Sequence, residues 1–127
     1  MTEKIQYVLE YSFNCPPKVL FNRLSTPGGL SEWFADDVNM IGNIYSFIWN
    51  GNKEDAEIVS QKDLKYIKFH WVDDEDKDTF FEFRINIEEL SGDAALIITD
   101  FAEEDELEGA KELWNSQIAE LKRILGI

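Results

Sequence analysis

Residues 105–127, DELEGAKELWNSQIAELKRILGI, form the only long helical pattern in the chain. Leu107, Ala110, Trp114, Ile118, Leu121 and Leu125 recur three or four apart, and Leu113, Ala119 and Ile124 widen the stripe. Asp105 and Glu108 have the spacing of a capping pair, acids crowd the first turn, and Lys122 and Arg123 sit near the end. That charge order suits the helix dipole. Gly109 is the one poor helix former, costing roughly 1 kcal/mol against alanine. A helix of this length reaches about 30 Å, and its apolar face must find a partner surface. The rest of the chain decides what that surface is.

Upstream, the dominant period is two. Ile5, Tyr7, Leu9, Tyr11 and Phe13 alternate with polar residues as a half-buried first strand. Cys15-Pro16-Pro17 breaks it and starts a short helix over 18–24, whose apolar face is Val19, Leu20, Phe21 and Leu24. Thr26-Pro27 starts a second short helix over 28–34, ending in Trp33-Phe34. Alternation resumes near Val38. Tyr45, Phe47 and Trp49 share one side of the next clear strand, and Asn50-Gly51 is a hairpin signal. Further strands run over 56–60, 66–71, 79–88 and 94–101, the acidic tract at 73–76 making one hairpin loop. Their inward sets are Ile67, Phe69 and Trp71; Phe81, Phe83, Ile85 and Ile87; and Leu96, Ile98 and Asp100. Glu82 and Arg84 face outward as a cross-strand pair. Hairpin-linked strands make an antiparallel sheet. The fold class is therefore α+β: a curved antiparallel sheet of about six to seven strands around a long C-terminal helix, with two short helices after strand one. No repeat or linker divides it, so one domain over 1–127 is expected.

Composition limits the partners. The net charge of −14 repels polyphosphates and anionic bilayers, which excludes nucleic acid as a natural partner. No run is long and apolar enough for a membrane span, and the N-terminal stretch has no leader-like apolar core. A lone Cys15 precludes an internal disulfide and fits a reducing cytoplasm.

The run Pro16 to Phe21, followed by Leu24-Ser25-Thr26-Pro27 and Trp33-Phe34, resembles the START-like helix-grip (SRPBCC) superfamily. More narrowly it resembles the branch related to the activator of the heat-shock-protein-90 ATPase. Gly42 to Phe47, Leu64 to Trp71, Leu96 to Asp100 and Trp114 to Leu121 resemble that family's third strand, tryptophan-bearing strand, last strand and closing helix. The resemblance implies a cavity between sheet and helix that takes apolar ligands. Its walls here would be Tyr45, Phe47, Trp49, Phe69, Trp71, Phe81, Phe83, Ile98, Asp100, Trp114, Ile118 and Leu121, with Trp33 and Phe34 at one end. An empty apolar space of about 300 Å³ would cost roughly 7 kcal/mol. The Phe, Tyr and Trp side chains, 13% of the chain, are therefore expected to fill much of it.

Catalytic signatures are weak. One histidine and one cysteine cannot build a zinc site, and no phosphate-binding glycine loop or cofactor motif is present. His70 falls by parity on the face away from Phe69 and Trp71, where an exposed or surface-packed ring is expected. Cys15 reads as an inert thiol. Asp100 is the one inward acid and needs a donor such as a tyrosine hydroxyl. The leading expectation is a binding module for an apolar or amphipathic small molecule, with no covalent chemistry. The alternative is a protein-interaction module, and a cyclase- or hydratase-like enzyme ranks third. Outward Tyr66, Phe80, Ile97 and Phe101 leave a monomer or a weak homodimer open.

Overall fold

The computed structural model describes residues 4–127. Met1, Thr2 and Glu3, the head of the stretch read above for a leader, lie outside the described residues. In chain order the elements are β1 (Lys4–Phe13), α1 (Pro17–Ser25), α2 (Pro27–Leu30), β2 (Asp37–Ile41), β3 (Ile44–Trp49), β4 (Asn52–Lys62), β5 (Tyr66–Trp71), β6 (Phe81–Ile87), β7 (Ala94–Glu103) and α3 (Leu107–Leu125). The strands form one curved seven-stranded sheet in the order β1-β7-β6-β5-β4-β3-β2, every pair antiparallel. β1 and β2 are thus the two edges, and the segment carrying α1 and α2 crosses between them. Asn50 and Gly51 both take positive φ, 50° and 81°, as a two-residue turn that matches strand twist requires. A register shift at Ile58/Ser60 bends β4 against β5.

Alternation delivers the core. Phe13, Phe47, Ile67, Phe69, Phe83, Leu96 and Ile98 leave the inner face with no exposed surface, and Leu20, Leu24 and Leu30 of the short helices meet them. α3 adds Trp114, Ile118 and Leu121. Each such side chain contributes roughly 1.5–3 kcal/mol by leaving water. The helix grip predicted from the terminal stripe is the observed architecture.

Several local expectations are corrected. α3 begins at Leu107, after a 3-10 turn over Glu104–Glu106. Extended backbone, which a capping residue needs, occurs at Glu103, so Asp105 sits inside the turn and caps nothing. At the other end Gly126 adopts φ 76°, and Ile127 N–H reaches the Lys122 carbonyl at 3.0 Å, closing the helix before the terminus. Leu113 and Ala119 are exposed, so the buried stripe is narrower than the sequence pattern. The second short helix ends at Leu30 rather than Phe34. Trp33 and Phe34 lie past its end, in the turn before β2, and both are buried. Ile87 is exposed at the end of β6, beside the turn to Asp93.

The outer face also differs from expectation. Glu82 and Arg84 pair along one strand, not across two, with Arg84 Nε donating to Glu82 at 3.0 Å. Their cross-strand neighbours on β5 are Lys68 and Tyr66, so Arg84 lies over the Tyr66 ring while Lys68 lies over Phe80. His70 is buried rather than exposed. The acidic loop folds back over it, placing Nδ1 2.8 Å from the Thr79 carbonyl and Nε2 3.2 Å from that of Asp74.

Candidate functional site

Register places the first two groups of the site. Tyr7 on β1 and Asp100 on β7 are direct partners, both turned to the inner face. α3 then brings Trp114 over them. The Tyr7 hydroxyl donates to Asp100 Oδ2 at 3.2 Å, and Trp114 Nε1–H is shared between that oxygen at 3.0 Å and the Tyr7 hydroxyl at 3.1 Å. Asp100 Oδ1 accepts the Phe101 N–H at 2.8 Å. The tyrosine donor expected for Asp100 is present, and a tryptophan joins it. Burial pushes the Asp100 carboxyl above its usual range, and the hydrogen bonds from Phe101, Trp114 and Tyr7 only partly oppose this. Burial and the neighbouring Asp100 charge push the Tyr7 hydroxyl well above its ordinary value, so it remains a donor.

The turn after α2 supplies the second part. Phe34 meets the rings of Trp49 at 5.3 Å and Trp114 at 5.7 Å, and Trp49 in turn meets Trp71 at 6.2 Å. The Phe34 carbonyl accepts two N–H groups, from Trp49 Nε1 at 2.7 Å and Gln117 Nε2 at 3.2 Å. Loop, strand β3 and helix α3 are tied at one oxygen.

Between these parts lies a groove of about 440 Å³, open to solvent. Phe34, Trp49, Trp71 and Trp114 give it an aromatic wall, and Ala110, Leu113 and Gln117 line it from α3. Tyr7, Asp100 and Glu54 are its hydroxyl and carboxylate groups. Because it is open, water fills it and the cost of an empty cavity does not arise.

Of the residues named from sequence, Phe34, Trp49, Trp71, Asp100 and Trp114 border this groove. Trp33, Tyr45, Phe47, Phe69, Phe81, Phe83, Ile98, Ile118 and Leu121 instead pack into the core. Rings interlock there, Phe69 on Phe81 at 4.9 Å and Trp71 on Phe81 at 4.8 Å. Two core residues also spend their polar atoms on backbone, Trp33 Nε1 on the Arg23 carbonyl and the Tyr45 hydroxyl on that of Ser25. The aromatics do fill the centre, and the groove lies at one end of it.

Tyr7, Glu54, Ala110, Leu113 and Gln117 were missed as lining residues. Tyr7 shares the parity of Phe13 and faces Asp100, which the hairpin order alone does not reveal. Glu54 was legible: two residues before buried Ala56 on β4, it must share that inner face. Leu113 read as core because its spacing suited the stripe.

Other reactive groups stand apart. Cys15 is a free, half-buried thiol pushed up by burial and by Asp93. Glu103, Asp105 and Glu106 bring carboxylate oxygens within 4.8 Å of one another at the surface where α3 starts. No helix among the described residues is long and apolar enough to cross a membrane.

Comparison with known proteins agrees with this architecture. BfR322 from Bacteroides fragilis is 40% identical, with a TM-score of 0.70 over 100% of this chain and 94% of its own. The Aha1 dimer from Colwellia psychrerythraea gives a TM-score of 0.79 at 17% identity, covering 93% of each chain. DynU16, from the dynemicin biosynthetic locus, gives 0.77 at 15% identity, over 95% of this chain and 47% of its own. No curated protein matches the sequence. A family model for the START-like superfamily domain matches residues 1–127, and the sheet grips the terminal helix as that fold requires: the chain belongs to the START-like superfamily.

Proposed function

We propose that the chain binds a small amphipathic molecule in the groove between α3 and the sheet, without covalent chemistry. One observation carries this reading. The 440 Å³ groove, bordered by α3 and the inner sheet face, is walled by aromatic rings and floored by a fixed polar trio. Small-molecule sites typically combine such a concave apolar wall with a few convergent polar groups. The titratable groups at hand suit binding better than turnover. Tyr7 holds its proton, Asp100 is engaged by its donors, and His70 and Cys15 stand outside the groove.

The test fills the space. Ala110→Trp places an indole into the groove from a half-buried helix position. Wild-type protein should hold a copurified mass of a few hundred daltons in native mass spectrometry, or bind the neutral dye Nile red, and Ala110→Trp should do neither. Equal behaviour of the two proteins would remove the groove as the site.

A second reading, association with a protein or a second copy, is favoured by a separate feature. Among the described residues edge strand β2 has no partner on its outer side, and Met40 and Ile41 on it are exposed. The similar fold of Aha1 occurs as a dimer.

A further inference from the structure

We infer that the groove selects an organic ammonium ion carried on a short apolar body. This deepens the binding reading above and rests on it. The indole N–H groups of Trp114 and Trp49 are already spent, on Asp100 with Tyr7 and on the Phe34 carbonyl. Gln117 likewise spends an N–H on that carbonyl, which leaves its own oxygen unspent. The Tyr7 hydroxyl donates to Asp100. Neutral donors remain, the second Gln117 N–H and the Trp71 indole N–H, but no lysine or arginine among the described residues lines the groove.

Glu54 is the main free acceptor. It is exposed, shares the inner face of β4 with Ala56, and lines the groove beside Trp49 and Trp71. Among the described residues it makes no salt bridge. Neighbouring charges are settled elsewhere. Lys4, which borders Asp100 from the adjoining recess, is held by Asp74 at 2.9 Å. In the polar recess on the far side of Phe34, Glu32 pairs with Arg23, Glu120 with Arg123, and Asp36 accepts the Asn50 N–H. An unpaired carboxylate beside half-buried indoles at the rim of a groove is the arrangement that attracts an alkylammonium, by charge and by the ring quadrupole together. The net charge of −14 adds a field of the same sign. An anionic guest would meet the Glu54 carboxylate with no cationic side chain of the lining to answer it.

The experiment titrates the full chain with three guests of one shape: 2-phenylethylammonium, 2-phenylethanol and phenylacetate. The readout is the indole N–H signals of Trp49, Trp71 and Trp114 in nitrogen-15 spectra, with Trp33, which does not line the groove, as the control. The ammonium ion should bind about ten-fold tighter than the alcohol, and phenylacetate weakest. Glu54→Gln, at an exposed position, should erase most of that preference and leave the alcohol's affinity unchanged. Equal affinities for ammonium and alcohol, or indifference to Glu54→Gln, would overturn the cation inference while the groove stands as a site. If none of the three guests moves a groove signal at millimolar concentration, both readings fall.

Discussion

Burial acts on Asp100 and Asp74 in the same sense, yet the two carboxyls end on opposite sides of their ordinary value. For Asp100 burial wins, and the folded state binds its proton more tightly than the unfolded chain does. Its protonated form therefore stabilises the fold at low pH, and that contribution is lost as pH rises through the raised value. For Asp74 burial also raises, but hydrogen bonds from Lys4, Thr79 and the Asp76 N–H outweigh it and hold the carboxyl at about 2. Its contribution is present above the ordinary 3.8 and is lost as pH falls through about 2. Urea midpoints measured across the acid range should separate the two. Asp74→Asn should flatten the loss below pH 4. Asp100→Asn should gain on wild type as pH rises, and a gain in the other direction would mean that burial does not raise the Asp100 carboxyl.

Between elements, the contact of α1 with α2 is tight at one glycine. A Cβ at Gly29 would lie 2.3 Å from the Asn22 carbonyl oxygen and 2.7 Å from Arg23 Cα, whereas one at Gly28 would meet nothing. Gly29→Ala should thus cost about 2–4 kcal/mol in chemical denaturation and Gly28→Ala within about 0.5 kcal/mol. The sequence makes the pair look equivalent, since both follow Thr26-Pro27 at a helix start. Only the angle at which the second helix returns on the first distinguishes them, and no local pattern encodes that angle. The same limit explains α3. Its 3.6-residue period located the helix and its buried centre, Trp114, Ile118 and Leu121, but could not tell that Leu113 overhangs open space. Period two, by contrast, set the inward residues of β3, β5 and β7 correctly, because a strand has only two faces to choose between.

At the level of the molecule, the order of hairpins made the antiparallel sheet legible, and one long amphipathic helix made its cover legible. The groove was less so. It arises where α3 passes over one end of the sheet, beyond the point at which the phenylalanines of the centre close ranks, and that boundary depends on the crossing of the whole helix. The edges follow from topology too. β2 exposes Ile41 at 83%, the most open of its three apolar residues. Sedimentation at rising concentration should reveal weak self-association through this edge, and Ile41→Lys should shift the chain to monomer. A wild type that stays monomeric at high concentration would dispose of the edge as a contact.

The Phe34 carbonyl, which receives both Trp49 and Gln117, has a mechanical meaning. An oxygen with two lone pairs and two donors has no spare valence for compromise, so strand, loop and helix cannot part at that corner one at a time. Stiffness along the rim is therefore uneven. Amide exchange should be slowest there and faster along the Ala110 to Leu113 lip, the side on which a guest would be admitted.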